Sequence, residues 1–290
     1  MLAEIEGLPA QLEKAWQQLV AYHDMLRAIF LPSGQQQVLE QVPPYRIEVT
    51  DVVGKTAVEA EKILAGIRQR MSHQVLPADL WPLFEIHASR LDNSIRLHIS
   101  LDALILDAWS FHILEEQWRQ LYYNLDTFTT PLEITFRDYV LAETKLHNTE
   151  IYLRSRQYWR DCLPNIPSAP ELPIVENFSA SPPVFKRLAG RFGAALWKQI
   201  KDNSSQWGVS PSGILLAAYA TIIALWSKNS QFTINISLFH RLPLHPQIND
   251  IIGDFTSLIL LPVTNSTESF ALRAQKIQKQ LWQNLDHRYF

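Results

Sequence analysis

A proline-rich stretch near the middle of the chain most constrains how it can fold. Six of the 17 prolines fall in LPNIPSAPELPIVENFSASPP, which covers residues 163–183. Proline fixes φ and removes a backbone donor, so this stretch suits neither a helix interior nor a central strand. We therefore predict a linker at 163–184 that separates an N-terminal lobe, residues 1–162, from a C-terminal lobe, residues 185–290.

The composition indicates a soluble globular protein with a large core. The chain has 290 residues, of which 47% are hydrophobic and 19% charged, and its formal net charge is -3. This charge supplies no basic field for phosphates, so we expect no nucleic-acid partner. The most apolar run, residues 213–226, is shorter than the ~20 residues that cross a bilayer, so we predict a buried core helix and no membrane partner. A single cysteine and the absence of a signal-peptide pattern predict a cytoplasmic protein.

Hydrophobic periodicity predicts helices and strands in both lobes. A first helix should end near Met25, and a second should cover residues 56–72. The second helix has a predicted buried stripe of Val58, Ile63, Ile67 and Met71. In the second lobe we predict a helix capped by Ser210 and begun by Pro211. The segments QFTINISLF and FTSLILLPV should be strands, and SFALRAQKIQKQLWQNLDHRYF should be an amphipathic helix that runs to Phe290.

Two aspartates stand in the apolar stretch HISLDALILDAWSF. In SIRLHISLDAL, polar residues alternate with apolar ones, which puts Asp102 on the same strand face as His98 and Ser100. Asp107 precedes AWSFHILEEQWRQLYY, a helix with a predicted apolar stripe, and stands where an N-cap belongs. We interpret Asp107 as a cap or as the partner of a buried arginine.

Other chemistries have weaker sequence support. His98, Asp102 and Asp107 could be metal ligands, but a strand, a turn and a helix start give no recognised ligand spacing. The segment GVSPSG at 208–213 has serine where a nucleophile elbow needs its second glycine. No HExxH pattern, Cys/His set or glycine-rich phosphate loop occurs. The residues alone therefore leave the function open.

Several ordered stretches resemble the heterocyclization domains of nonribosomal peptide synthetases, a branch of the condensation-domain superfamily. They include AWQQLVAYHDMLRAIF, the DxxxxD motif LDALILD, YWRDCLPNIPSAPELP, FTINISLFHRLPLHP and IIGDFTSLILLPV. The resemblance covers nearly the whole chain. It implies an α/β, two-lobed chloramphenicol acetyltransferase-like fold of the condensation-domain type, incomplete at both termini.

The motif itself favours the heterocyclizing branch. Ordinary condensation domains carry HHxxxDG, and aligning the aspartate of HHxxxDG with Asp107 puts Asp102 at the first histidine and Ala103 at the second. The resemblance then implies that a carrier-bound acyl group is joined to cysteine, serine or threonine, and that the side chain closes onto the new amide with loss of water. Thiazoline or oxazoline results.

The same resemblance implies the partners of the chain. Acyl and peptidyl carrier domains would hold the substrates on 4'-phosphopantetheine, and an adenylation domain would belong to the same assembly line. No cofactor is expected to bind the chain directly.

The resemblance also implies site residues. Asp102 and Asp107 are the candidate catalytic residues of the motif. We hypothesise that Asp107 pairs with Arg27 of MLRAIF, which supports the motif turn, while Asp102 faces the active-site tunnel. The candidates for the tunnel and substrate contacts are His98, Asn235, Asp254 and Ser257. A satisfied strand amide and a turn aspartate are equally good interpretations of Asn235 and Asp254.

Some expected family motifs are absent from the chain. His240 replaces the asparagine of an FNRLP pattern, and an FPLTxxQxAY-like start is missing. So are the PVVFTS-like threonine and the LDxQ-like aspartate that the family uses for cyclodehydration. We therefore expect a fragment that binds carrier-held substrates poorly when alone. A catalytically silent fragment that only contacts carrier proteins, and an ordinary amide-forming condensation domain, are the alternatives.

Overall fold

The chain divides into two compact units. The computed structural model describes residues 2–5, 9–126, 131–174 and 188–290. Unit 1 comprises Met1–Ala142 with Phe239–Thr256, and unit 2 comprises Glu143–Leu238 with Ser257–Phe290.

Unit 1 is built on a four-stranded sheet. Its strands are β1 (Leu2–Ile5), β4 (Glu48–Asp51), β5 (Phe84–Arg90) and β6 (Ile95–Leu101), in the order β1-β6-β5-β4. Strand β6 is antiparallel to β1 and β5, whereas β4 is parallel to β5. A separate antiparallel pair joins β2 (Ala28–Phe30) to β3 (Gln36–Val38).

The helices of unit 1 share its core with the strands. They are α1 (Pro9–Tyr22), α2 (Ala57–His73) and α3 (Ala108–Tyr123). Helix α4 (Phe136–Lys145) belongs to unit 1 as far as Ala142. Trp16 of α1 lies at the centre, with its ring 5.2 Å from Phe84 and 4.8 Å from Trp118. All three side chains are buried, and such aromatic pairs add about 0.5–1.5 kcal/mol beyond their area burial. The first predicted helix is present, but it ends at Tyr22 and a short 3₁₀ turn, Asp24–Arg27, follows.

The second predicted helix is confirmed, but its predicted buried stripe is only partly right. Thr56 and Glu59 form a capping box that starts α2, because each side chain accepts from the other residue's backbone amide. Leu64 and Met71 are the buried residues of α2. Val58 is 80% exposed, so the first turn of α2 lies outside the core.

Unit 2 combines a strand pair with helices. The strands are β7 (Gln231–Phe239) and β8 (Thr256–Thr264), and the helices are α5 (Glu150–Cys162), α6 (Ala194–Trp207), α7 (Pro211–Trp226) and α8 (Phe270–Leu285). Phe232 of β7, Leu261 of β8 and Ala217 of α7 are buried in one cluster. The predicted strands are confirmed, and the predicted C-terminal helix is present but ends at Leu285 and not at Phe290. The Ser210 hydroxyl caps α7 by accepting from Gly213 N, and Pro211 is its first residue, as predicted.

Helix α7 differs from the predicted buried core helix. Its one face, with Ile214, Ala217 and Ala220, is buried, but the opposite face is exposed. The exposed apolar residues of α7 are Leu215, Tyr219, Ile222, Leu225 and Trp226. No single helix of the described residues is long and apolar enough to cross a membrane. Helices α6 and α7, which meet at a bend of 99°, reach that length and apolar character only when taken together.

The two units do not follow the predicted division at residue 162. Helix α5 belongs to unit 2, because its Tyr158 hydroxyl donates to Asn284 Oδ1 of α8 at 2.7 Å. The segment Phe239–Thr256 belongs to unit 1, where Gly253 contacts α3. Of the predicted linker 163–184, residues 163–174 lie in unit 2 and the rest fall outside the described residues.

Candidate functional site

Asp107 caps helix α3 from a fully buried position. Its side chain has no exposed surface. Its Oδ1 accepts from the backbone amide of Ser110 at 2.6 Å, and its own amide donates to Gly253 O at 3.0 Å. The predicted N-cap is therefore confirmed. A carboxylate buried this completely needs compensating donors and a counter-charge.

Arg241 supplies that counter-charge from the loop after β7. Its Nη2 lies 3.8 Å from Asp107 Oδ1, and its side chain is only 6% exposed. The two Nη groups also donate to three oxygens, namely Ile248 O at 2.8 Å, Ile251 O at 2.9 Å and Ser110 Oγ at 2.8 Å. Burial lowers the pKa of Arg241, and the Asp107 carboxylate opposes that shift. Arg241 therefore ties the start of α3 to the loop on which it stands.

The hypothesis that Asp107 pairs with Arg27 is wrong. Arg27 Nη2 bonds Asp24 Oδ1 at 2.6 Å, and its other donors bind backbone carbonyls. The carbonyl partners are Val20 O at 2.5 Å, Ala21 O at 2.8 Å and Leu39 O at 3.1 Å. These bonds connect the end of α1 to the residue after β3. Arg27 is thus a structural support, but of the 3₁₀ turn and β3 and not of the motif.

The segment Gly253–Phe255 completes the buried cluster around Asp107. Ser110 Oγ donates to Gly253 O at 2.7 Å and accepts from Gly253 N at 3.1 Å. Asp107 Oδ2 accepts from Phe255 N at 3.3 Å, and the Arg241 guanidinium lies 3.8 Å from the centre of the Phe255 ring. Such a stacked cation adds to the binding of the arginine beyond its hydrogen bonds.

Gly253 is required by the close approach of an aromatic ring. A Cβ atom built on Gly253 would overlap the ring of Phe136. Phe136 in turn packs edge-on against Phe255, with ring centres 5.0 Å apart. Tyr139, one turn further along α4, donates its hydroxyl to His240 O. Helix α4 therefore holds both ends of the Phe239–Thr256 segment.

Asp102 has a different environment from Asp107. It directly follows β6, its amide donates to Leu83 O at 3.0 Å, and its Oδ1 accepts from Leu104 N at 3.0 Å. This local bond is an Asx turn, which shapes the backbone between the strand and α3. Asp102 is half-buried, and the next residues, Ala103 and Leu104, are exposed. Asp102 therefore keeps part of its surface in solvent, whereas the Asp107 side chain has none.

His98 lies inside the sheet. It is only 3% exposed, it pairs with His87 of β5, and the ring centres are 6.4 Å apart. Burial lowers the pKa of His98 to about 4, with a smaller contribution from His87. The predicted role of His98 in binding substrate stays a prediction.

The other predicted tunnel residues lie on three different elements. Asp254 is exposed in the loop between Gly253 and Phe255, and its Oδ1 accepts from Thr256 N at 3.0 Å. Asn235 is exposed on β7, and Ser257 is half-buried on β8. Asp254 is connected to the Asp107 cluster through the two residues that flank it, Gly253 and Phe255. The tunnel roles of all three residues stay predictions.

Sequence reasoning missed four members of the buried cluster: Ser110, Tyr139, Arg241 and Gly253. Ser110 and Arg241 are 131 positions apart, so no local pattern links them. The strongest sequence signal for this cluster was the position of Arg241 in the loop FHRLP, which is followed at a short distance by Gly253. No group of three or more His, Cys, Asp or Glu side chains within the described ranges is arranged to hold a metal ion.

Comparison with known proteins identifies the family. The family model described as "Condensation domain" matches residues 5–290. The chain belongs to the condensation domain family. Its α/β fold is the fold of condensation domains, as the sequence resemblance implied.

Relatives of this condensation domain are parts of much larger proteins. It is 35% identical over 278 residues to bacitracin synthase 1 of Bacillus licheniformis. The matched region covers 94% of this chain and 5% of that protein. It is 33% identical over 288 residues to phenyloxazoline synthase MbtB of Mycobacterium tuberculosis. This matched region covers 94% of this chain and 19% of that protein.

Among solved structures, the condensation domain is similar to the EpoB cyclization-docking bidomain, part of a nonribosomal peptide synthetase of Sorangium cellulosum. The two are 36% identical with a TM-score of 0.81, and the match covers 99% of this chain and 59% of that one. The condensation domain thus spans less than two thirds of this structure and a fifth or less of the two large synthases.

Proposed function

We propose that this condensation domain is a heterocyclization domain of a nonribosomal peptide synthetase. The observation that carries the proposal is the motif turn, residues 102–107, which offers one accessible carboxylate, Asp102, and no histidine. Ala103 stands where the resemblance aligns the histidine associated with amide formation. A turn of this kind is expected to orient substrates rather than to act as a histidine base.

The proposed reaction has two steps. The amine of a carrier-bound cysteine, serine or threonine attacks the thioester carbonyl of a second carrier, which forms an amide and releases the phosphopantetheine thiol. The side-chain thiol or hydroxyl then attacks that amide carbonyl. Loss of one water molecule gives thiazoline from cysteine, or oxazoline from serine or threonine, with no change in oxidation state.

The two aspartates have different roles in this proposal. Asp107 is a structural anchor, because its carboxylate is enclosed by Ser110, Arg241 and Phe255 and has no exposed surface. Asp102 is a positioning residue. Its carboxylate accepts a hydrogen bond from the amine or the side chain of the carrier-bound cysteine, serine or threonine. The Asx turn to Leu104 N holds this carboxylate at the end of β6.

The relatives support the heterocyclizing branch through their names. One is called a phenyloxazoline synthase and one a cyclization-docking bidomain, at 33% and 36% identity. The substrates in this proposal are held by the 4'-phosphopantetheine arms of acyl and peptidyl carrier domains, loaded by an adenylation domain of the same assembly line.

Reconstitution with loaded carriers tests the proposal. The chain is mixed with an acyl-loaded carrier and a cysteinyl-loaded carrier, and the carrier-bound product is analysed by intact-mass spectrometry. We expect a product that has lost one water molecule relative to the linear amide. A linear amide as sole product would support the second candidate, an ordinary amide-forming condensation domain. No transfer at all would support a silent fragment that only contacts carriers.

Variants of Asp102 test its positioning role. Asp102→Ala should lower the yield of ring relative to linear amide and raise the apparent KM for the cysteinyl carrier, and Asp102→Glu should restore part of the yield. The control is Asp92→Asn, since the exposed Asp92, like the half-buried Asp102, accepts one backbone amide bond, in its case from Gly54 N at 3.0 Å. Equal effects of Asp102→Ala and Asp92→Asn would mean that Asp102 has only a turn-forming role.

A further inference from the structure

Unit 2 contains an apolar cavity of about 420 Å³ at some distance along the chain from the motif turn. It is lined by residues of α5, of the turn after α5, of β8 and by Phe290. The lining residues are Trp159, Arg160, Leu163, Ile166, Leu258, Ile259, Leu260 and Phe290. This volume falls within the 300–1,000 Å³ range of small-molecule sites, and apolar walls with few polar groups are typical of them.

Hydrogen bonds and ring contacts hold the walls of this cavity in place. The indole N–H of Trp159 donates to His287 O at 2.8 Å, so the ring keeps one orientation and presents its apolar face. Leu260 O accepts from Asn284 Nδ2 at 2.6 Å, which ties β8 to α8. The ring of Phe290 packs edge-on against Tyr152 with centres 5.5 Å apart. A cavity with walls ordered in this way needs little rearrangement to accept a ligand.

Large apolar side chains stay exposed around the cavity. Leu163 is 66% exposed, Leu258 is 59% exposed and Phe290 is 54% exposed. Apolar side chains gathered around a cavity mark a binding site more often than singly scattered ones. Their arrangement favours a flat or branched apolar group that covers all three.

One charge decides the class of ligand. Arg160 is the only charged side chain among the described residues that line the cavity, and it is exposed at the rim. A guanidinium binds carboxylates and sulfonates through paired N–H donors. We propose that this cavity is a second binding site, for a small anion with an aromatic or branched aliphatic body, held with its body against Trp159 and its charge at Arg160. This site does not depend on the heterocyclization proposal.

Two fluorescent probes that differ only in charge test the site on the whole 290-residue chain. They are 8-anilinonaphthalene-1-sulfonate, which is anionic, and N-phenyl-1-naphthylamine, which has the same ring system without the sulfonate. We expect saturable binding of the anionic probe, and Arg160→Gln should weaken it by about two- to fivefold, the range of an exposed ionic contact. The affinity for the neutral probe should not change.

Filling variants and matched controls locate the binding. Leu258→Trp and Leu163→Trp place a larger side chain at exposed positions of the rim, so both variants should fold. Each should weaken the binding of both probes. Arg154→Gln removes an exposed charge of the same helix, and Ile222→Ser changes the exposed face of α7. Neither control should alter the saturable binding.

Three results would overturn the proposal. The anionic probe could bind equally well to the parent chain, to Arg160→Gln and to both filling variants. Arg160→Gln could weaken both probes to the same degree, which would remove the anion preference. Sedimentation could reveal a dimer that Leu258→Trp dissociates, in which case a second copy of the chain occupies the cavity.

Discussion

Replacing Arg241 with alanine tests the buried network that anchors the motif turn. The substitution removes the hydrogen bonds to Ile248 O, Ile251 O and Ser110 Oγ, and it leaves Asp107 without its counter-charge. It also removes the cation that lies over the Phe255 ring. The protein therefore loses every contact that links this side chain to the start of α3.

The size of the effect follows from burial. The side chains of Arg241 and Asp107 are 6% and 0% exposed, so water cannot replace the lost interaction. Removing one member of a buried ion pair costs about 3–5 kcal/mol. We therefore expect Arg241→Ala to lower the free energy of unfolding by about 4 kcal/mol, a large part of the 5–15 kcal/mol that is typical of whole domains. Arg241→Lys keeps the charge but loses the paired donors, so it should cost roughly half as much.

Urea denaturation followed by tryptophan fluorescence and by circular dichroism measures this loss. The control is Arg137→Ala, because Arg137 is an exposed arginine of α4 in the same unit and should cost less than about 0.5 kcal/mol. A double-mutant cycle with Asp107→Asn isolates the pair. The cost of Arg241→Ala should fall by about 1.5–3 kcal/mol in the Asp107→Asn background.

Two outcomes would refute this reasoning. Arg241→Ala could cost less than about 1 kcal/mol, or the cycle of Arg241 with Asp107 could be additive. A parallel cycle of Arg27 with Asp107 should be additive within about 0.5 kcal/mol, because the two residues share no partner. Coupling in the Arg27 cycle alone would restore the pairing that the sequence led us to expect.

Two further predictions concern unit 1. His23 is fully buried and bonds Gln117 Oε1 at 2.6 Å, and burial lowers its pKa from 6.5 to about 4. Because the unfolded chain binds a proton that the folded chain excludes, stability should fall by up to about 3 kcal/mol as the pH drops from 6.5 to 4. His23→Gln should flatten this part of the curve of unfolding free energy against pH, and an unchanged slope would contradict it. Gly253→Ala should cost about 1–3 kcal/mol because its Cβ overlaps the Phe136 ring, whereas Gly66→Ala in α2, where the Cβ meets nothing within 4 Å, should stabilise by about 0.5–1 kcal/mol. Thermal melts of both variants check the contrast, and equal shifts in Tm would rule it out.

Local features were predictable where a short pattern is enough to determine them. The cap at Asp107, the cap at Ser210 and the following Pro211 each depend on residues within one helical turn, and the structure contains all three. Strand β7 was predicted from alternation along QFTINISLF, and β8 from the apolar segment FTSLILLPV that follows Gly253 and Asp254. The exposed half of α7 was not, because a run that is apolar on all sides has no periodicity to indicate which face is buried.

The partner of Asp107 could not be predicted from the residues around it. Both Arg27 and Arg241 follow apolar segments, and each is a plausible counter-charge by type alone. Arg27 is occupied by Asp24, only three positions away, and by carbonyls at the end of α1. Arg241 reaches Asp107 because the loop after β7 returns to unit 1. A contact between segments more than a hundred residues apart depends on tertiary packing, which no local sequence pattern encodes.

The sequence by itself determined the α/β class, the family, the positions of the main helices and strands and the cap at Asp107, since these follow from periodicity, end signals and the order of motifs. The tertiary structure alone decided that the counter-charge of Asp107 is Arg241, in a buried network with Ser110, and that the Asp102 side chain forms a local turn with Leu104 N. It also decided where the cavity beside Trp159 lies. The physical reason is that burial and counter-charge depend on which distant segments meet.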